Sequence, residues 1–240
     1  MRSVRRFILV TGASSGIGRA VGRRLLAEGH QVIGVSRDIR KFSHGREGFH
    51  ALELDLADLA ALPTQIADIA QRFPELDAVV FSAGIGRFGA LEQFSYAQIE
   101  TLMAVNFTGQ AFLARALLPQ LKRKARSDLI FIGSEAALKG SRQGAVYCAG
   151  KFAVRGFAQA LREECGKSGL RVALINPGMV KTEFFDSLAF EPGDHASNYI
   201  LPEDVAETVS YVLDSRADIV IDEISLSPLN KVVKFKKTDR

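Results

Sequence analysis

The stretch FILVTGASSGIGRA, residues 7–20, decides how the rest of this 240-residue chain is read. Phe7–Thr11 is a short apolar run that ends in glycine, as a buried strand does. Ile17, Val21 and Leu25 then recur at four-residue spacing, the apolar stripe of a helix. Gly12, Gly16 and Gly18 open that helix. Glycines there permit a tight turn, let backbone N–H groups approach a pyrophosphate, and let helix and strand pack closely. Three functions use such a loop. A Walker loop is excluded, because no Gly-Lys-Ser/Thr follows at the required spacing. GASSG, with Ser14 at its centre, satisfies a nucleophile elbow, but that motif needs an oxyanion donor from an earlier strand loop. Dinucleotide binding fits the position after the first strand of a βαβ unit.

The same alternation runs outward to residue 226. Strands are predicted at 7–11, 31–36, 50–55, 77–83, 128–133, 171–177 and 218–226. Most are continuous apolar runs, as expected of strands covered on both faces of a parallel sheet. Leu59, Leu62, Ile66, Ile69 and Ala70 form a helical stripe. Further helices are predicted at about 95–123, 146–168 and 202–214. Pro202 with the following EDVAE is a helix opening. The pattern predicts one α/β domain over 1–240, a doubly wound Rossmann sheet of about seven parallel strands with helices on both faces. Ligands of such sheets lie outside the carboxyl ends of the strands.

Composition narrows the class. The chain is 47% hydrophobic and 24% charged, with a formal charge of +4, values of a globular protein with no basic stripe for nucleic acid. The basic ends MRSVRRF and KVVKFKKTDR read as solvated termini. Cys148 and Cys165 form no CxxC and are expected as reduced thiols in the cytoplasm. His30, His44, His50 and His195 show no metal-ligand spacing. No apolar stretch approaches the roughly 20 residues of a membrane span.

Two further segments bear on chemistry. The second strand ends in Ser36, Arg37 and Asp38. An Arg there takes the 2′-phosphate of NADP, whereas an acid holds the ribose hydroxyls of NAD. Residues 133–151, GSEAALKGSRQGAVYCAGK, follow a strand and enter a helix. Tyr147 and Lys151 share a helix face. Alone, that pair reads as readily as a solvated surface.

Together with the glycine loop, these residues resemble the short-chain dehydrogenase/reductase family from about residue 6 to 226. The matching motifs are TGASSGIG (Thr11–Gly18), Asp55, the turn Ser82–Gly84, Asn106, Ser134, Tyr147 with Lys151, and NPGMVKT (176–182). The resemblance implies Asn106, Ser134, Tyr147 and Lys151 as the catalytic set. It implies a dinucleotide held by Gly12, Ser14, Ser15, Gly16, Ile17 and Gly18, with Asp55 and Leu56 at the adenine. Ala83 and Gly84, then Pro177, Gly178, Val180 and Thr182, complete the cofactor-binding set, with Tyr147 and Lys151 on the ribose side. Departures from the pattern are Ser82 in place of Asn, Gly133 before Ser134, and Glu135 after it. Arg37, with no acid at the strand end, implies NADP; the second basic residue often found in the glycine loop is Ser15 here.

Hydride transfer to a carbonyl develops charge on its oxygen, and Tyr147 is the expected proton donor. Its phenol must fall well below its ordinary pKa of about 10 to exchange a proton near neutrality, and Lys151 is expected to pull it down. Ser134 would stabilise the developing charge, and Asn106 would anchor a water. The implied reaction interconverts a small-molecule alcohol and carbonyl. Residues 179–198 form the substrate loop, with Gly193 as hinge and Phe184, Phe185 and Phe190 either as an apolar lid or as packing. Lys139, Arg142 and Lys181 flank the site. Pairing through the two long helices implies a homodimer or homotetramer. The rival reading is a nucleotide-binding sensor on the same fold, whose mark would be a broken Ser-Tyr-Lys set.

Overall fold

The computed structural model describes residues 5–38, 40 and 47–236. Residues 1–4 and 237–240, parts of the two basic ends, and His44 lie outside them. Strands β1 (Phe7–Thr11), β2 (Gln31–Ser36), β3 (Phe49–Glu53), β4 (Ala78–Phe81), β5 (Ser127–Ile132), β6 (Leu170–Pro177) and β8 (Glu223–Leu226) form one parallel sheet in the order β3-β2-β1-β4-β5-β6-β8. The order reverses between β1 and β4, which opens a crevice at the carboxyl ends of those strands.

Alternation along each strand sorts two cores. Leu9, Val79, Phe81, Leu129, Phe131, Val172 and Leu174 face one side, under α2 (Leu62–Arg72), α4 (Gly109–Leu121) and α5 (Ala145–Cys165). Ile8, Val10, Ala78, Val80, Ile130, Ala173 and Ile175 face the other, under α1 (Gly16–Ala27) and α6 (Pro202–Asp214). Both faces of every central strand are buried, which is why the strands read as unbroken apolar runs. Helix α6 opens at Pro202, and Asp204 Oδ2 accepts the Leu201 N–H at 2.8 Å.

Three features differ from the sequence expectations. The helix expected at 95–123 is two, α3 (Tyr96–Met103) and α4, joined by a π turn at Ala104–Thr108. The amino end is not simply solvated. Arg6 is 6% exposed and bonds Asp77 and Asp128, and Asp128 also binds Arg171. Nor is the carboxyl end: β9 (Val233–Phe235) pairs antiparallel with β7 (Phe190–Pro192), within residues 179–198. Apolar Val233 and Phe235 alternate with Lys234, whose ammonium reaches Asp194 at 2.9 Å. Lys236 donates to the Phe185 carbonyl at 2.5 Å.

Candidate active site

The glycine loop is shaped by close approach. Gly12 has φ +68°, and a Cβ there would lie 2.9 Å from Ala83 Cα. A Cβ on Gly18 would collide with the Gly12 carbonyl, so α1 packs directly on the end of β1. Thr11 Oγ1 accepts from the N–H groups of Ser82 at 3.0 Å and Ala83 at 2.9 Å, fastening the turn after β4 beside the loop. The Ser82 hydroxyl is itself buried without a hydrogen-bond partner, so the replacement of Asn leaves the backbone turn intact and one side-chain group idle. Gly16 faces Thr182, which a Cβ would approach to 3.3 Å.

The amino end of α1 carries no acid in its first turn. Its free N–H groups and dipole favour an anion. The Glu183 carboxylate already exploits this. Glu183 pairs with Arg19 at 2.6 Å. Its carboxyl is held below the usual range by its own backbone N–H, then by Arg19 and the Gly16 N–H. A cleft of about 440 Å³ lies here, bounded by Gly16, Arg19, Thr182 and Glu183. The tightly packed glycine turn, with a helix end that favours an anion, fits a dinucleotide pyrophosphate.

At the end of β2, Arg37 is exposed. Asp38 is engaged by Arg40, whose Nε lies 2.9 Å from Oδ1 and whose second nitrogen lies 3.2 Å from Oδ2. Asp55 closes a turn, with Oδ1 accepting the Ala57 N–H at 2.9 Å, and Leu56 beside it is buried.

The π turn delivers Asn106 to the centre. Its Oδ1 accepts the Ile85 N–H at 2.9 Å and its Nδ2 donates to the Ile85 carbonyl at 3.0 Å. A Cβ on Gly84 would lie 3.3 Å from Asn106 Oδ1 and 3.7 Å from Lys151 Nζ, so these three residues converge at the end of β4. Lys151 Nζ donates to the Ile132 carbonyl at 3.0 Å and stands 5.9 Å from the Tyr147 ring centroid. Tyr147 shares a side-chain hydrogen bond with Ser134. Ser134 follows β5, and its Oγ also accepts the Ala136 N–H at 3.1 Å. Pro177, Gly178 and Val180 follow along the end of β6, with Thr182 Oγ1 capping the turn at Phe184.

The titration of the pair departs from expectation. Burial pushes the Tyr147 phenol up to about 12, and the Ser134 hydrogen bond only partly opposes it. Burial pulls Lys151 down from 10.5 to about 8. Both groups are buried, and desolvation dominates both titrations. Lys151 therefore carries a stability cost. Below about pH 8 it is charged in both folded and unfolded chains, and the burial cost is full. As pH rises from 8 through 10.5 the folded chain is already neutral while the unfolded chain loses its proton, and the cost, about 3 kcal/mol, fades. Lys151→Met is accordingly expected to stabilise the fold at pH 7 by about 1–3 kcal/mol. Its advantage should shrink at pH 9 and 10 in urea titrations. A Met variant no more stable than wild type at pH 7 would rule out a costly charge at this position.

Phenylalanines pack at Tyr147. Phe88 lies 5.0 Å from the Tyr147 ring and 5.0 Å from Phe190, and Phe184 lies 5.9 Å from Tyr147. The Gln143 carbonyl accepts the Gly89 N–H at 2.8 Å and holds the segment that carries Phe88. Phe185, Phe190 and Leu188 pack with Met179, so the phenylalanines of 179–198 form a hydrophobic cluster with Phe88. Gly193 is a close-contact position: its Cβ would meet Asn198 Oδ1 at 2.7 Å, and its N–H donates to the Val232 carbonyl at 3.0 Å.

Of the flanking bases, Lys139 and Arg142 are exposed, and Lys181 lies over the Tyr199 ring at 4.5 Å. Lys231, from the carboxyl tail, reaches Glu135 Oε1 at 2.6 Å. Sequence reasoning missed Lys231, Phe88 and Arg40. No local pattern signals Lys231, because the period-2 alternation VKFK begins only at Val233. Cys148 is buried with its Sγ 3.4 Å from Ser141 Oγ.

Comparison with known proteins agrees with this geometry. Residues 6–191 match the family described as short chain dehydrogenase. The chain is 31% identical to a sepiapterin reductase of Chlorobaculum tepidum, covering 94% of this chain and 97% of that protein. An alcohol dehydrogenase of the archaeon Thermococcus sibiricus, solved with 5-hydroxy-NADP, superposes with TM-score 0.85 at 25% identity, covering 95% of this chain and 99% of the other. A serine dehydrogenase in its closed form with NADP+ superposes with TM-score 0.82 at 26% identity, covering 98% and 99%. Among the described residues no helix is long and apolar enough to cross a membrane. A seven-stranded doubly wound sheet, a glycine cradle and a Ser-Tyr-Lys cluster at its carboxyl edge thus meet with a match over most of the length, and the chain belongs to the short-chain dehydrogenase/reductase family of oxidoreductases.

Proposed function

We propose that this protein is an NADP(H)-dependent oxidoreductase that interconverts an alcohol and a carbonyl on an apolar small molecule. The convergence of Ser134, Tyr147 and Lys151 beside a glycine-lined anion cradle carries the reading. Bound there, the nicotinamide would supply or accept the hydride. Tyr147 holds the proton that the substrate oxygen gains, and Ser134 donates a hydrogen bond to that oxygen. Lys151 offers positive charge on one side of the phenol, and Asn106 fixes the turn at Ile85 beside it. The intact set argues against a sensor role.

The preference for NADP rests on charge at the end of β2. Arg37 is exposed there, while the acid that would bind ribose hydroxyls is engaged by Arg40. A charge-assisted bond to phosphate contributes about 1.5–3 kcal/mol. Arg37→Ala is expected to lower the NADPH/NADH ratio of kcat/KM by about 10- to 100-fold, mostly through NADPH. An unchanged ratio would remove Arg37 from phosphate recognition.

Two rings, Phe88 and Phe184, pack on the reacting phenol, and Phe190 packs behind Phe88. These rings favour an apolar, aromatic-sized aldehyde or ketone. The test is a panel of aromatic, aliphatic and acidic carbonyls with NADPH and NADH. Turnover of acidic members alone would reverse the substrate class, and turnover of none would remove the oxidoreductase reading. Exposed Phe112 on α4 and Phe152 on α5 favour pairing through these helices into a homodimer or homotetramer. Light scattering showing a strict monomer would exclude it.

A further inference from the structure

We infer that Asn176 is a positioning residue for Ser134, held in turn by Glu223 and Arg155. This role rests on the oxidoreductase reading. The backbone pairing of β5 with β6 continues to Gly133, whose N–H donates to the Ile175 carbonyl at 2.8 Å. The next donor, the Ser134 N–H, goes instead to a side chain: Asn176 Oδ1 accepts it at 3.2 Å. Asn176 is 1% exposed, and its Nδ2 donates to Glu223 Oε1 at 2.6 Å. Arg155, on α5, closes the relay at 3.1 Å from the same carboxylate.

The relay fixes which way the amide faces. Nδ2 must meet the carboxylate, so the carbonyl oxygen must meet Ser134. Reversal would set oxygen against oxygen and N–H against N–H. Ser134 is then held from two sides, at its N–H by Asn176 and at its Oγ by Ala136 and Tyr147. Its hydroxyl is thereby aimed where the substrate oxygen lies beside Tyr147. The same geometry explains Gly133. A Cβ at that position would collide with Asn176 Oδ1, so the glycine makes room for the amide that orients the next residue.

The experiment is a double-mutant set measured on the substrate found by the carbonyl panel. Asn176→Ala is expected to lower kcat by about tenfold with little change in the KM for NADPH, because a misplaced hydroxyl weakens only the reacting step. Gly133→Ala is expected to lose stability through the collision. The double variant G133A/N176A is expected to recover that stability and to keep the low kcat of N176A. Glu223→Ala, which leaves the amide present but unanchored, should lower kcat by a smaller factor. A wild-type kcat in N176A, or a double variant whose kcat recovers with its stability, overturns the positioning role. Absence of turnover in the wild type overturns the oxidoreductase reading itself, and this role falls with it.

Discussion

Tyr147→Phe is expected to lower kcat by about 10³-fold or more while the Kd for NADPH stays within about threefold of wild type. The change removes one oxygen and leaves the ring. The ring packs between Phe88 and Phe184, at 5.0 and 5.9 Å, and Phe keeps both contacts. The fold should therefore hold. Stability should not fall, since the variant no longer buries a hydroxyl. The lost proton has no ready substitute. Ser134 is an ordinary hydroxyl, and Lys151 is engaged with the Ile132 carbonyl at 3.0 Å. General acid catalysis of this kind contributes about 10²–10⁴-fold, and loss of the pairing with Ser134 adds to it. Steady-state kinetics and fluorescence titration with NADPH measure the two quantities separately. A variant with more than about a tenth of wild-type kcat would move the proton donor elsewhere. Loss of NADPH binding in step with kcat would make Tyr147 a cofactor ligand first.

The direction of the Tyr147 titration shows where sequence reading stops. Spacing places Lys151 one turn from Tyr147, and that is correct. Spacing does not report depth, and depth decides which term wins: Tyr147 and Lys151 are both nearly inaccessible, and burial drives the phenol up and the amine down. The strands were legible because both faces are covered, so apolarity is continuous. The π turn was not, because the apolar pattern runs through residues 104–108 and one widened turn leaves no mark on it. β9 was hidden by Lys234 within it and Lys236 after it, which read as a solvated tail yet reach Asp194 and the Phe185 carbonyl. The glycine loop, Asn106, Ser134, Tyr147 and Lys151 were legible as motifs. Their supports, Asn176, Glu223, Arg155 and Lys231, come from distant strands and helices, and no local spacing links them.

Asp128→Ala is expected to destabilise the protein by about 3–5 kcal/mol, far more than any surface charge change. Asp128 opens β5 at 1% exposure and binds two guanidinium groups, Arg6 at 2.6 Å and Arg171 at 2.6 Å. Arg6 precedes β1 and also grips Asp77, while Arg171 reaches the carbonyls of Val212 and Leu213 at the end of α6. One carboxylate thus joins β1, β5, β6 and α6 at the edge opposite the candidate active site. Removing it leaves the buried Arg171 without a carboxylate and Arg6 with Asp77 alone, and that penalty exceeds the lost hydrogen bonds. For a chain of this size the loss corresponds to a fall in Tm of roughly 6–20 °C. Asp128→Asn preserves the shape but not the charge, so a comparable loss would assign the effect to charge and a much smaller one to packing. The control is Asp68→Ala, which breaks the exposed pair with Arg72 at 3.4 Å on α2 and should cost less than about 0.5 kcal/mol. If D128A and D68A unfold at the same urea concentration, the buried network does not hold the sheet together. If they separate as expected, the fold is clamped at one end of its strands, leaving the other end free to carry strained and desolvated groups such as Lys151.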